Sequence, residues 1–230
     1  MNREIAQKLY RYFMNQFLLG LTSINEMMVL DNFNTYKRVI LKALEICDID
    51  ITDIKARKEQ IPAPVAIPGQ GDLSFQLVDV LKFKTYHRNN KDVMFDLDLE
   101  ESSGTRKLFQ ILIRLLDVVK NRKSIMMDEF DLGLHTRLAD FILDLIHASE
   151  GSQLLFSSHN TNLIDIKRLR RDQIVFVNKS EDGATEVYSL YDFKDFRENM
   201  DAEKGYIQGR FDAVPYVDSS VDSIKHLLEE

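Results

Sequence analysis

Two adjacent carboxylates, Asp128 and Glu129, follow directly on a short apolar run in the middle of the chain. A second apolar run, at 153–156, is followed by two serines and His159. Carboxylates at the C-terminal edge of a buried strand are typical of sites that hold Mg²⁺ and direct a water molecule at a phosphate. A nearby histidine adds a hydrogen-bond donor where negative charge develops. These residues therefore indicate phosphoryl-transfer chemistry.

A strand, a helix and a second strand are needed to position these side chains. We predict the strands at 123–127 and 153–156, and between them a helix over 136–149. Apolar residues recur along this helix at three- and four-residue spacing: Leu138, Phe141, Ile142, Leu145 and Ile146. A strand–helix–strand unit closes as a right-handed crossover with parallel, neighbouring strands. We therefore expect the two carboxylates and the histidine to share one edge of a parallel sheet.

A segment rich in serine and glycine comes just before another predicted helix. Its residues are Ser102, Ser103, Gly104 and Thr105. The helix is predicted from its periodic apolar positions: Leu108, Ile111, Leu112, Leu115, Leu116 and Val119. The unpaired N–H groups at a helix N-terminus suit a phosphate, and the hydroxyls add further donors. The alternative is an ordinary N-cap formed by Ser or Thr, and the segment alone leaves both interpretations open.

The first 60 residues are predicted to form a helical subdomain. Apolar and aromatic residues recur at helical spacing at 9–17 and again at 39–47. Asn34 and Thr35 are suitable caps for the second of these helices. The domain prediction is therefore a helical region over 1–60.

Residues 61–74 are predicted to be a linker, because the stretch 61–71 carries three of the four prolines and two glycines. The α/β part of the chain is then predicted at 75–217. A charged tail, 218–230, completes the domain prediction.

Alternating polar and apolar residues predict a β-hairpin with strands at 75–87 and 93–99. Asp96 and Asp98 would lie on one face of its second strand. They are either part of a solvated face or, together with Asp128 and Glu129, ligands in a metal-dependent nuclease site. A second hairpin is predicted at 174–189, around a Glu-Asp-Gly turn.

Composition limits the class of protein. The chain has 230 residues, of which 44% are hydrophobic, so it can bury a sizeable core. Its formal charge of -7 gives no general nucleic-acid footprint. Cys47 is the single cysteine, which excludes an internal disulfide. The sequence shows neither a signal peptide nor an apolar run of about 20 residues, so we expect a cytoplasmic protein without a membrane partner.

The phosphate-binding pattern G-x-x-x-x-G-K-[ST] does not occur in the sequence. Gly69-Gln-Gly71 is too short to replace it, and no strand–loop–helix that would replace it is predicted. Three explanations stay open. The chain is a fragment of a longer ATPase, a naturally split subunit of one, or a relative that has lost the activity and keeps the fold for interaction. In each case we expect no appreciable ATPase activity from the chain alone.

The order of these motifs resembles the C-terminal half of an ABC-type ATPase head, of the SMC-like and OLD-like group. The serine–glycine segment, the strand with Asp-Glu, an Asp-x-x-Leu-His turn and the strand with Ser-His follow one another. The stretches 190–193, 201–206 and 209–215 resemble RloA-like, restriction-associated AAA-type ATPases. The resemblance covers about residues 95–217. It implies an α/β P-loop ATPase fold whose Walker A half is absent and which carries an N-terminal helical subdomain.

The resemblance also implies a role for each matching residue. Asp128 matches the Walker B aspartate that holds Mg²⁺, and Glu129 matches the general base. His159 matches the switch histidine at the γ-phosphate. Asp131, followed by Leu134-His135, matches the turn that crosses the dimer interface. The signature, which closes over ATP on the opposite subunit, is matched by Ser102, Ser103, Gly104 and Thr105, with Glu-Ser-Ser-Gly-Thr in place of the usual Leu-Ser-Gly-Gly-Gln.

ATP and Mg²⁺ are the cofactors that the resemblance implies. The implied partner is a second copy of the chain or a half that contains Walker A, acting in phage defence or DNA transactions with a nuclease or toxin effector. A non-catalytic interaction module with a vestigial ATPase fold is the alternative. Direct DNA binding stays open: the basic cluster 167–171 either meets a nucleic-acid backbone or forms a solvated helix face.

Overall fold

The computed structural model describes residues 4–10, 17–19, 26–66, 73–180, 182–197, 199–215, 217 and 220–229. The chain divides into two compact units, Met1–Ser158 and His159–Glu230. In the described residues, no helix is both long and apolar enough to cross a membrane.

The first unit contains four helices and six strands among its described residues. In chain order they are α1 (4–10), β1 (Phe17–Leu19), α2 (Glu26–Ile46), β2 (Ile51–Ala66), β3 (Leu73–His87), β4 (Asn90–Asp96), α3 (Ser103–Asn121), β5 (Ser124–Met127), α4 (Thr136–His147) and β6 (Gln153–Phe156). The second unit contains β7 (Val175–Lys179), β8 (Thr185–Ser189), α5 (Ala202–Ile207) and α6 (Val221–Glu229). Short 3₁₀ turns connect several of them.

A parallel sheet of order β1-β5-β6 lies in the first unit. Strand β5 pairs with β6 from Ser124↔Gln153 to Met127↔Phe156 and with β1 on its other side. Helix α4 connects β5 to β6, so the predicted strand–helix–strand unit with parallel strands is confirmed. Together with the antiparallel hairpins, this sheet confirms the predicted mixed α/β fold class.

The prediction of a helical subdomain over residues 1–60 is wrong in part, because strands as well as helices lie in this range. Helix α2 is present, but Asn34 and Thr35 lie inside it and do not cap it. Phe17 lies in β1, and the chain is already in β2 from Ile51 onwards. Tyr12 and Phe13 lie outside the described residues. Pairing with distant strands overrides the local helical spacing, because β1 takes its partner more than 100 residues along the chain.

The predicted linker is also wrong where the structure describes it, since 61–66 belong to β2 and β3 begins at Leu73. The two strands form a long antiparallel ribbon in which Pro62 faces Leu77. Prolines are tolerated because β2 is the edge strand of the order β2-β3-β4. Residues 67–72 lie outside the described part.

The predicted first hairpin is confirmed as β3 and β4, with a turn at Arg88-Asn89. Its second strand ends at Asp96, however, and residues 97–100 form a turn. Asp98 is therefore not on the strand, and the prediction that both aspartates share a strand face is wrong.

Helix α3 forms the centre of the first unit. Nearly all of its residues between Leu108 and Val118 are buried, so the helix is enclosed on all sides. Phe109 packs edge-to-face against Phe83 of β3 at 4.9 Å and against Phe33 of α2 at 6.1 Å between ring centroids. This aromatic cluster fixes α2 and the β2–β3 ribbon against α3.

A strand followed by a helix occurs at the N-terminal side, where the sequence predicts no strand–loop–helix that could replace the phosphate loop. β1 and α2 are separated by six residues, 20–25. The helix nevertheless begins with Glu26-Met27, and it lacks the Lys-Ser/Thr pair that binds phosphates at a P-loop. The Glu26 carboxylate instead accepts a hydrogen bond from the backbone N–H of Leu81 at 3.3 Å.

The second unit has a small core of its own. The β7–β8 hairpin confirms the predicted one, with Val177 facing Val187. Phe176 stacks on Phe211 with ring centroids 4.9 Å apart. The remaining buried residues of this core are Ile174, Leu190, Phe196 and Ala202. A two-stranded hairpin alone is only marginally stable, and burial of one face of β7–β8 against these side chains stabilises it.

Candidate functional site

Asp128 and Glu129 come directly after β5, and Ser157 comes directly after β6. The Ser157 hydroxyl donates a short hydrogen bond to Asp128 Oδ1 and accepts one from the backbone N–H of Glu129 at 2.9 Å. The three residues therefore form one hydrogen-bonded group at the carboxyl edge of the parallel sheet. Asp128 and Glu129 lie at this edge as predicted, and the β6 residue that meets them is Ser157, which the sequence did not single out.

Glu129 has an unusual backbone conformation. Its φ angle is 44°, in the left-handed region that residues with a side chain seldom adopt. This conformation costs roughly 1–2 kcal/mol. Such strain concentrates at functional sites, where surrounding contacts enforce it. Both carboxylates lie in the turn that follows β5.

Phe130 anchors this turn in the core. Its side chain is fully buried and packs edge-to-face on Phe156 with ring centroids 4.5 Å apart. Its backbone N–H donates to the Ser157 carbonyl at 3.3 Å, and the Ser157 N–H donates to the Met127 carbonyl at 3.0 Å. The two strand ends are thus locked together by backbone bonds and aromatic packing, which holds Glu129 in its strained conformation.

The predicted dimer-interface turn, 131–135, continues directly from this site. The Leu134 N–H donates to the Asp131 carbonyl at 2.8 Å, and Gly133 takes a φ of 79°. His135 Nδ1 accepts from the Arg137 N–H at 3.2 Å and caps α4. The structure therefore gives His135 a helix-capping role. An interface role for Asp131 stays a prediction.

The segment Ser102–Thr105 lies at the start of α3, as predicted. Ser102 is the N-cap: its Oγ accepts from the Thr105 N–H at 3.1 Å and lies 2.8 Å from the Thr105 hydroxyl. The ordinary N-cap interpretation is therefore confirmed for Ser102. Thr105 is buried, whereas Ser102 and Ser103 are exposed. The two serines remain accessible at the helix N-terminus.

Gly104 faces the turn that follows the carboxylates. A Cβ built on Gly104 would lie 3.4 Å from the Gly133 carbonyl oxygen. The signature-like segment and the turn at 131–134 are therefore neighbours within the first unit. A glycine lets another group approach its backbone closely, and at Gly104 that group is a carbonyl of the same chain.

His159 is the first residue of the second unit, and its side chain is exposed. It follows β6 by three positions in the chain. Its predicted place beside the carboxylates stays a prediction.

Asp96 and Asp98 are held by lysines of β3. Lys84 Nζ lies 3.0 Å from Asp96 and Lys82 Nζ lies 2.8 Å from Asp98. Burial of Asp96 opposes its ionisation, but hydrogen bonds from Lys84 and from two backbone N–H groups keep the pKa of this carboxyl below its usual value. Within the described residues, no three His, Cys, Asp or Glu side chains are grouped to hold a metal ion. The nuclease alternative gains no support from this arrangement.

The basic cluster 167–171 forms turns, not the predicted helix face. Arg170 makes a two-point ion pair with Asp172, at 3.0 and 2.9 Å. Arg171 donates to the Phe193 carbonyl at 2.8 Å and stacks over the rings of Tyr191 and Phe196. Arg170 and Arg171, two of the four cations in the cluster, therefore bond to residues within the second unit.

Two residues that hold the candidate site were not predicted from the sequence. Ser157 follows the apolar run at 153–156, and the parallel register makes it the counterpart of Asp128. Glu101 precedes the signature-like segment in the sequence, and its carboxylate bonds to β3. The register between β5 and β6 was a signal available for Ser157. No local signal was available for Glu101, because its partners lie 14 and 16 residues earlier.

Comparison with known proteins gives both structural and family similarity. A solved chain, from work on the structural biochemistry of ATP-driven dimerization and DNA stimulated activation of SMC ATPases, is 16% identical. The similarity covers 82% of this chain and 99% of that chain, with a TM-score of 0.42. No curated protein matches the chain.

The family match is more extensive. A family model described as "AAA domain, putative AbiEii toxin, Type IV TA system" matches residues 15–165. This range begins just before β1 and includes Ser102–Thr105, Asp128, Glu129 and His159. The predicted AAA-type ATPase family is thereby confirmed, while the closeness to RloA-like proteins stays a proposal. Since the match covers well over half of the sequence, the chain belongs to the AAA domain family described as putative AbiEii toxin, Type IV TA system.

Proposed function

We propose that this chain supplies the metal-binding and water-orienting residues of an ATP-hydrolysing AAA/ABC-type ATPase, and that a Walker A half supplies the phosphate loop. The observation that carries the proposal is the hydrogen-bonded group of Asp128, Ser157 and Glu129 at the carboxyl edge of the parallel sheet. Ligands bind at this edge in open α/β sheets.

Asp128 fits the binding of Mg²⁺ with a nucleotide. Mg²⁺ is usually held by one or two carboxylates together with water and substrate phosphates, so an all-protein cage is not required. The Ser157 hydroxyl orients the Asp128 carboxylate through its bond to Oδ1. Asp128 would hold Mg²⁺, whose positive charge would offset negative charge that develops on the phosphates.

Glu129 is the proposed general base. Its backbone is fixed by the Ser157 hydroxyl and by the buried Phe130 beside it. Fixed geometry matters because a base must hold its water within hydrogen-bond distance in line with the phosphate. We assign His159 the stabilisation of γ-phosphate charge.

The signature-like segment is proposed to act across a dimer interface. Ser102 and Ser103 are exposed at the N-terminus of α3, where helix N–H groups favour a phosphate. Asp131 is placed in the same interface, because its turn adjoins Gly104. In this proposal two copies close around ATP, each contributing a signature to the nucleotide of the other.

The open edge of β6 supports the need for a further strand. In the described part of the chain, β6 pairs only with β5. Gln153 and Ser157 direct their N–H groups to β5, so the alternate residues Leu154 and Phe156 face the other side. Leu155 is 60% exposed on the sheet face. Parallel sheets are normally covered, and an open apolar edge of this kind invites strand addition.

A comparison within the same unit strengthens this point. Natural proteins protect exposed sheet edges with prolines, charges or bulges. The outer edge of β2 carries Pro62 and Pro64, whereas β6 has the sequence Gln-Leu-Leu-Phe with no proline and no charge. We propose that a parallel strand of the Walker A half pairs with β6, which delivers the loop after that strand to the edge where Asp128 lies.

A non-catalytic interaction module is the second candidate. The observation in its favour is that the Ser102 and Thr105 hydroxyls bond to each other within the chain. Under either candidate we assign the protein to phage defence or DNA transactions, with a toxin or nuclease as effector. The toxin–antitoxin description of its family supports the defence setting.

Complementation of ATPase activity tests the proposal. Mg²⁺-ATP hydrolysis is measured for the chain alone and after adding a polypeptide that carries an apolar strand followed by G-x-x-x-x-G-K-[ST]. Activity that appears only in the mixture and is lost with Glu129→Gln supports the ATPase, while Glu150→Gln serves as an exposed control. A well-folded complex without activity would favour the interaction module.

Proline substitution tests the proposed strand addition. Leu154→Pro removes an N–H that faces the open edge, so we expect complex formation to be lost while the chain keeps its fold. Leu155→Pro removes an N–H on the β5 side and should unfold the sheet instead. Complex formation that survives Leu154→Pro would exclude pairing at this edge.

A further inference from the structure

The turn between β4 and α3 is fastened to β3 through one carboxylate. Glu101 Oε1 accepts a hydrogen bond from the Thr85 hydroxyl at 2.5 Å and lies 2.8 Å from His87 Nε2. The Glu101 side chain is 9% exposed and Thr85 is completely buried. Hydrogen bonds to a charged acceptor in such a shielded place are stronger than ordinary ones.

Other contacts brace the same turn. The pairs Lys82–Asp98 and Lys84–Asp96 tie it to β3, as described above. Arg106, in the first turn of α3, donates a short hydrogen bond to the Asp98 carbonyl. The start of α3 is therefore fixed from both sides, by β3 before it and by its own first turn.

Glu101 directly precedes Ser102, the N-cap of α3. We infer that Glu101 is a positioning residue that sets the place of the Ser102–Thr105 segment by clasping β3. Its consequence for catalysis rests on the proposed function, in which this segment contacts a nucleotide. The clasp itself is a property of the chain alone and is measured without a nucleotide.

The clasp also connects the signature-like segment to the β2–β3 ribbon. Thr85 and His87 lie at one end of β3, and Phe75, which is 75% exposed, lies near the other. β3 pairs with β2 along its whole length, so the clasp connects Ser102 to the same ribbon that carries Phe75.

Hydrogen exchange at the start of α3 tests the inference. The amides of Thr105 and Arg106 bond to Ser102, so their protection reports on this segment. We expect Thr85→Val and Glu101→Ala to speed their exchange by about tenfold. Thr85→Ser, which retains the hydroxyl, should leave exchange as in the wild type.

Global stability is measured in parallel by denaturant unfolding, with Glu150→Ala as an exposed control. A loss of protection confined to 102–106 supports positioning. Unchanged exchange at these amides in both Thr85→Val and Glu101→Ala would overturn the inference, as would an equal rise at all amides.

The complemented enzyme provides the second readout. If the proposed ATPase is active, Thr85→Val should raise KM for ATP several-fold while Thr85→Ser does not. If complementation yields no activity, the proposed function fails, but the exchange result still decides whether Glu101 positions the segment.

Discussion

The backbone N–H of Glu129 donates a hydrogen bond of 2.9 Å to the hydroxyl of Ser157. This bond crosses from the end of one parallel strand to the end of its neighbour. It holds Glu129 in a left-handed conformation that its side chain disfavours. The proposed base is thus positioned by a residue that takes no part in the proposed chemistry.

Replacing Ser157 should therefore weaken the fold locally. We expect Ser157→Ala to lower the free energy of unfolding by about 1 kcal/mol, since Glu129 loses its hydrogen-bond acceptor. Ser157→Thr retains the hydroxyl and should remain close to the wild type. Urea unfolding of both variants measures the difference, and equal midpoints for Ala and Thr would contradict this role.

Two phenylalanines provide a matched test of the core. Phe109 is almost fully buried between Phe33 and Phe83, whereas Phe75 on the ribbon is largely exposed. We expect Phe109→Ala to cost about 3–5 kcal/mol of unfolding free energy. Phe75→Ala should change it by less than about 0.5 kcal/mol. Denaturant unfolding of the two variants measures this contrast. Comparable losses of unfolding free energy would show that Phe75 is packed against other groups in solution.

The ion pair of Asp96 with Lys84 predicts a dependence of stability on acid. The pKa of Asp96 is depressed in the folded state, so its ionised form stabilises the fold above the ordinary value of 3.8. This contribution is lost as the pH falls through the lower folded-state value. The stability difference between wild type and Asp96→Asn should therefore shrink on acidification from about pH 6.

Urea unfolding of the wild type and of Asp96→Asn, from about pH 6 downwards, measures this difference in the free energy of unfolding. Glu150→Gln, at an exposed position, should follow the wild type at every pH. A difference in stability between wild type and Asp96→Asn that does not change with pH would show that the charge of Asp96 does not stabilise the fold.

Neighbouring arginines of the basic cluster should behave differently. Arg171→Ala removes hydrogen bonds to the Leu190 and Phe193 carbonyls and should destabilise the second unit by about 2 kcal/mol. Arg170→Ala breaks only an exposed ion pair with Asp172 and should cost less than about 1 kcal/mol. Hydrogen exchange of the β7–β8 amides in the full chain reports both effects. Salt-dependent DNA binding that disappears in these variants would instead assign the cluster to nucleic acid.

Segments with strong local signals were predicted well. α3, α4, β5 and β6 lie within a few residues of their predicted positions, because periodic apolar residues and polar turns mark them. The same signals place Asp128 and Glu129 immediately after a buried strand. The N-terminal 60 residues and the proline-rich stretch were predicted poorly, because β1 and β2 form by pairing with other strands, which local spacing does not encode.

The sequence by itself determined the order of elements from α3 to β6, the α/β class, the carboxylate pair after β5 and the absence of a phosphate-loop pattern. These are encoded in residue types at short spacing, which local physics can interpret. Only the tertiary structure decided that β1 pairs beside β5, that Ser157 holds Glu129 and that Glu101 clasps β3. Each depends on residues distant in sequence, and packing against the buried core selects which of them meet.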